Sequence, residues 1–185
     1  MPTRMTLALT VAAACVALSE PLLRVEAQAA PAAALFDDTV LHDVKLFINS
    51  RDLRRLRDNY LDNFTLPADL EWRGTRVRNI GLRQRGLGSR NPNKFGFEVS
   101  FDRYTSGQTF LGLKSLVLDN LWQDASLFRE SLGMAVFRRL GQVAPRESFA
   151  RLFINNELQG VYGLTEPVDE LFTTAATGET TGRLF

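Results

Sequence analysis

Apolar and polar residues alternate most cleanly from Phe95 to Phe101. Phe95, Phe97, Val99 and Phe101 share one face and Gly96, Glu98 and Ser100 the other, so the segment is predicted as a half-buried strand. Further strands are expected at Val44 to Ile48, Leu70 to Trp72, Val77 to Arg85, Ser115 to Leu118, Phe149 to Ile154 and Leu158 to Leu164. Arg73-Gly74 and Asn155-Asn156 read as hairpin turns, and a phase change of the apolar face between Val77 and Ile80 predicts a bulge near Asn79. Helical spacing occurs in two places. Ser50 is the expected N-cap of a helix from Arg51 to Tyr60, with Leu53, Leu56 and Tyr60 on one face. Asp124 is the expected N-cap of a second, from Ala125 to Leu140, with Phe128, Leu132, Ala135, Val136 and Leu140 facing inward. Asp169-Glu170 reads as a solvated helix start, Ala175 to Gly182 as a small-residue loop and Arg183 to Phe185 as the opening of a further strand.

Composition narrows the class. The 185 residues are 45% hydrophobic and 23% charged, an ordinary globular mixture for one domain. A formal net charge of +1 argues against nucleic acid as a partner. The positive charge is local instead: Arg73, Arg76, Arg78, Arg83, Arg85, Arg90, Lys94 and Arg103 face only Glu98 and Asp102 over one span. Such a band fits a solvated sheet face, a polyanion site or a seat for nucleotide phosphates.

At the start of the chain, Arg4 precedes an apolar run from Met5 to Leu18, and Ala27-Gln28-Ala29 offers the small residues a signal peptidase needs. Residues 1–29 are therefore expected to be a cleaved signal, 30–40 a flexible leader and 41–185 the folded part. The run is short for a bilayer crossing, so export to the periplasm, the outside or the cell surface is expected, without a stable membrane span. Anchoring as a lipoprotein through Ala13-Ala14-Cys15 is the second option. Cys15 is the single cysteine, so a chain cleaved after it has no disulfide, zinc thiolate or thiol nucleophile.

Candidate chemistry concentrates between Arg83 and Phe101. Gly86 and Gly88 permit close backbone approaches, and Ser89, Arg90 and Lys94 add donors around them, the makings of a phosphate cradle. A Gly-x-Gly alone also fits a solvated hairpin loop, and Lys94 alone a surface lysine. Arg129 and Glu130 are charged residues near the start of the second helix, able to reach a neighbouring strand. The one histidine, His42, reads as structural, and no paired carboxylates or nucleophile elbow support a glycosidase or hydrolase.

Several segments together resemble the spore-coat protein H (CotH) kinase family. They are Gly81-Leu82-Arg83-Gln84-Arg85-Gly86 with Ser89, Lys94 before Phe95 to Phe101, Phe110-Leu111-Gly112-Leu113-Lys114, Asp124-Ala125-Ser126-Leu127-Phe128-Arg129, Leu140-Gly141 with Ala144-Pro145-Arg146, and Ile154 through Glu166. Leu87-Gly88 and Asn155-Asn156 depart mildly from the family pattern. The resemblance implies an α+β fold like the amino-terminal lobe of an atypical protein kinase, a mostly antiparallel twisted sheet with two main helices, truncated before a carboxy-terminal lobe. It further implies that ATP with Mg or Mn is bound and that Ser or Thr of a secreted or surface protein is phosphorylated. Arg85, Gly86, Gly88 and Ser89 would form the turn over the nucleotide, Lys94 would contact its phosphates, and Glu166 would stand at the exit from the last hairpin. The family's catalytic and metal-binding aspartates fall beyond the point matching Phe185, so no catalytic residue and no metal ligand is assigned here. The alternative is a non-catalytic surface or adhesion module that binds anionic polymers through the basic face.

Overall fold

A computed structural model describes residues 31–178 of the chain. The expected signal segment, Cys15 and the expected strand at Arg183 to Phe185 lie outside these residues. Seven strands form: β1 (Leu41–Ile48), β2 (Thr65–Trp72), β3 (Thr75–Gln84), β4 (Phe97–Ser100), β5 (Ser115–Asp119), β6 (Glu147–Ile154) and β7 (Glu157–Thr165). They close into a barrel in the order β1-β2-β3-β4-β5-β7-β6, and the parallel pair β1 to β6 makes the seam.

This corrects the expected fold class. The structure is a closed mixed barrel rather than the open α+β lobe of a kinase-like fold. The physical reason is the seam, in which Leu41 pairs with Phe149 and Leu46 with Ile154. No local pattern announces a pairing between segments so far apart in sequence. Closure leaves no sheet edge unpaired.

Alternation fills the interior. Val44, Leu46, Leu70, Ile80, Leu82, Phe97, Val99, Leu116, Leu118, Leu152, Tyr162 and Leu164 are all buried and belong, apart from the polar tip of Tyr162, to one apolar core. Phe95 and Phe101, just outside β4, continue its inward face. The expected bulge is present: the register of β2 and β3 shifts between Ala68 and Leu70, and Asn79 adopts φ +56° with its N–H donating to Asp69 Oδ1. Both hairpin turns have the left-handed backbone their residues tolerate, at Arg73, Gly74, Asn155 and Asn156. Residues 31–40, read as part of a flexible leader, include Leu35 and Phe36, which are buried in the core, and the Leu35 carbonyl accepts from Ser148 Oγ.

Three helices of eight or more residues lie outside the barrel: α1 (Ser50–Asp58), α2 (Arg129–Arg139) and α3 (Glu170–Thr177). The cap of α1 is Asn49, not Ser50, its side chain accepting from Arg51 N–H. The second helix begins four residues later than expected. The Asp124 carboxylate accepts from Ser126 N–H, Ser126 Oγ and Arg129 N–H, which folds residues 124–128 into a turn before α2 starts. Its expected inward face is only partly covered: Leu132, Val136 and Leu140 are exposed, Ala135 is half-buried, and Phe128, though largely exposed, stacks on Phe149 of β6, while Glu130 is half-buried. The small-residue stretch from Ala175 forms the end of α3, capped by Asp169 and closed at Gly178 with φ +73°. Among the described residues, no helix is long and apolar enough to cross a membrane.

Candidate functional site

The loop joining β3 to β4, residues 85–96, sits on one rim of the barrel, anchored where Gln84 pairs with Phe97. Arg85 N–H donates to the Gly96 carbonyl at 3.0 Å, which closes the base of the loop. Gly86 has φ +98°, and a Cβ there would lie 2.3 Å from Ser89 Oγ, so only glycine fits. Arg90 Nε donates to the Gly86 carbonyl, and its guanidinium also reaches the Leu61 carbonyl and Asn63 Oδ1, tying the loop to the segment before β2. The backbone N–H groups of Gly86, Leu87, Gly88 and Ser89 have no acceptor among the described residues. A turn with several free donors is a ready anion cradle.

Asn120 holds this loop from below. It is buried just after β5, and its Nδ2 donates to both the Ser89 and Lys94 carbonyls at 2.8 Å. The glycine turn and Lys94 are thereby brought together. The Lys94 ammonium lies 5.1 Å from the centre of the Tyr162 ring, beside Gly160. It makes no ion pair among the described residues. Burial pushes its pKa down, and the Asp119 carboxylate pulls it partly back. Below it, the Tyr162 hydroxyl is buried without a hydrogen-bond partner among the described residues, and burial pushes its pKa up.

Arg85 is anchored by Asp119, with Nη1 at 3.3 Å from Oδ2. The other carboxylate oxygen of Asp119 accepts from Leu121 N–H at 2.8 Å. Two further acids lie on the same outer face. Glu130 comes down from α2, its pKa raised by burial and then by Asp119, with Arg85 opposing. Glu147, at the start of β6, is buried with neither oxygen hydrogen-bonded among the described residues. Burial first, then Glu130 and Asp119, push its pKa up to about 8 against the pull of Arg138.

Of the residues expected to bind nucleotide, Arg85, Gly86, Gly88, Ser89 and Lys94 share this rim. Gly88 is exposed, and a Cβ on it would lie 3.0 Å from Gln123 Nε2. Glu166 does not join them. It lies six residues along β7 from Gly160, about 20 Å at the usual strand rise, and grips Arg146 through Nε, Nη2 and the backbone N–H. That pair fixes the exit from β7, with the Arg146 guanidinium also 4.8 Å from the Phe36 ring. Asn120, Asp119, Glu147 and Tyr162 were not legible as site residues. Asp119-Asn120 follow the last apolar residue of a strand, and nothing adjacent to Glu147 or Tyr162 in the sequence sets them apart. Glu130 carried the one available signal, a charge near the start of a packed helix.

The donor types fit a polyphosphate: backbone N–H groups of residues 86–89 without an acceptor among the described residues, the Lys94 ammonium and the Arg85 guanidinium all belong to one loop. For a metal, no group of three or more His, Cys, Asp or Glu among the described residues has the geometry to hold an ion. In the basic band beyond the rim Arg76 pairs with Asp69 and Arg83 with Glu98, while Arg73, Arg78 and Arg103 make no ion pair among the described residues.

Residues 82–185, more than half of the chain, match the CotH kinase protein family. Over 128 residues the chain is 31% identical to the inner spore coat protein H of Bacillus subtilis (strain 168), a stretch that covers 69% of this chain and 34% of that protein. The chain thus spans about a third of that relative's length. With the glycine turn, Lys94 and the strands that carry them inside the matched region, the chain belongs to the CotH kinase protein family.

Proposed function

We propose that this chain is the nucleotide-binding part of an exported CotH-type protein kinase. The observation that carries this reading is the Lys94 ammonium, without an ion-pair partner among the described residues, next to a glycine turn whose N–H groups are free. An uncompensated charge costs stability when it is desolvated, and a site that binds anions is where such a cost is offset by ligand. Lys94 and Arg85 would hold phosphate oxygens, and the N–H groups of residues 86–89 would cradle them. Gly86 keeps the turn open, and Asn120 fixes the spacing of turn and lysine. ATP, accompanied by Mg or Mn, would supply the phosphoryl group. Transfer to Ser or Thr of a secreted or coat protein is proposed for the full-length enzyme, and the coat location follows the name of the Bacillus subtilis relative.

Calorimetric titration of ATP into this chain tests the binding step. Saturable binding by the parent, weakened at least about tenfold in Lys94→Ala by loss of a charge-assisted contact, is the expected result. Equal affinity of the two proteins contradicts it. Binding of anionic polymers that falls steeply with salt and ignores ATP would favour the adhesion-module reading instead.

A further inference from the structure

Glu147 has no role in the phosphate cradle, yet its place in the fold is unusual. It is a glutamate, 3% exposed, on the outer face of the barrel under α2, with both carboxylate oxygens lacking a hydrogen-bond partner among the described residues. Its Oε1 lies 2.9 Å from where a Cβ on Gly163 would stand, and Asp119 Cβ lies 3.7 Å from the same point. The bare glycine of β7 therefore makes the space in which Glu147 and Asp119 meet. Asp119 in turn carries Arg85 at the glycine turn. A short chain of contacts thus links the buried acid to the cationic rim.

We infer that Glu147 is a positioning acid whose protonation state sets the charge that Arg85 and Lys94 present to a bound polyphosphate. The inference rests on the nucleotide-binding reading above. The charged groups around Glu147 are Glu130 and Arg138 from α2, Asp119 from β5 and, through Asp119, Arg85 after β3. Thr165 opposite it on β7 carries no charge, and Arg146 beside it is committed to Glu166. Two nearby acids against one direct cation, in a site without water-facing oxygens, favour the neutral carboxyl group near pH 7. With Glu147 neutral, Asp119 is left to orient Arg85. When Glu147 loses its proton, a further negative charge joins Asp119 and Glu130 behind the cradle. Anion affinity then falls, by about tenfold for one charge at roughly 10 Å in a partly buried site. Linkage is reciprocal, so bound ATP must also make Glu147 hold its proton more tightly.

The test titrates ATP at pH values from 7 to 9.5, where its own phosphates are fully ionised or nearly so, into the parent and Glu147→Gln. Lys94 titrates alike in both proteins, so the ratio of their dissociation constants isolates Glu147. The expected result is a ratio near one at pH 7 that grows to about tenfold in favour of Glu147→Gln at pH 9.5. Parallel pH curves overturn the inference while leaving nucleotide binding intact. Absence of ATP binding in both proteins at every pH overturns the cradle and this inference together. A second readout uses the parent protein alone: carboxyl carbon NMR should show Glu147 titrating well above ordinary glutamates, and higher still with ATP. An apparent pKa that ATP does not move overturns the coupling, whatever the stability of the variant.

Discussion

Two cations lie along β7, one beside its middle and one past its carboxy-terminal end, and they are treated in opposite ways. Near Gly160 the Lys94 ammonium rests over the Tyr162 ring with no carboxylate within ion-pair distance among the described residues. Beyond Thr165 Arg146 is gripped by Glu166 through three hydrogen bonds, two from its guanidinium and one from its backbone N–H. The second arrangement satisfies every partner and leaves nothing for a ligand to do. The first leaves a desolvated charge uncompensated, which a fold tolerates where an anion can supply the balance. Glu147 on β6, opposite Thr165, adds an acid whose carboxylate oxygens have no hydrogen-bond partner among the described residues. In the proposed reading, closed pairs hold the barrel together and the open charge at Lys94 meets the nucleotide.

The largest effect that sharpens this contrast is on stability against pH. An acid with a folded-state pKa of about 8, against the ordinary 4.5, keeps a proton that the unfolded chain gives up between those values. Stability therefore falls as pH rises through that window, by at most about 1.4 kcal/mol per unit, and levels off above it. Denaturant unfolding from pH 5 to 9 should show this slope in the parent and a flatter profile in Glu147→Gln. Equal slopes would place the open charge elsewhere.

Next comes the closed pair. Glu166→Ala strands the partly buried Arg146 and its backbone N–H, for a loss of about 2–3 kcal/mol, with ATP affinity unchanged. A drop in affinity without a drop in melting temperature would reverse the roles assigned to Lys94 and Arg146. A smaller loss, about 1–2 kcal/mol, is expected for Gly86→Ala, because alanine disfavours the φ of +98° and its methyl group meets Ser89 Oγ. Here ATP binding should weaken as well, since the turn must shift to accept the methyl group. The smallest stability change is expected for Lys94→Ala, within about 0.5 kcal/mol, because the lost cation–π contact is offset by relief of a desolvated charge.

Local physics was readable from the chain, and long-range pairing was not. The alternation of Phe95, Phe97, Val99 and Phe101, the two left-handed turns and the bulge at Asn79 each follow from a few neighbouring residues, and the strand and both turns come close to their expected positions. The glycine turn with Lys94 was legible for the same reason. The barrel was not, because its seam pairs β1 with β6 across most of the described chain, where side-chain patterns carry no register. Spacing in α2 marked an apolar face but not how little of it the barrel covers: Phe128 stacks on Phe149, while Leu132, Val136 and Leu140 are exposed and Glu130 lies within electrostatic reach of Asp119. Glu166 was named from the family resemblance alone, and the structure pairs it with Arg146 past the end of β7, a contact no local pattern announces. Glu147 was invisible because burial of a charge depends on the helix laid over it, not on its neighbours in sequence.

The most direct measurement compares ATP dissociation constants of Lys94→Ala and Glu166→Ala with the parent at pH 7, alongside their melting temperatures. The account predicts that Lys94→Ala melts with the parent but binds ATP at least about tenfold more weakly, while Glu166→Ala melts lower and, where folded, binds as the parent does. ATP affinity that survives the loss of Lys94 and disappears with Glu166 would contradict it.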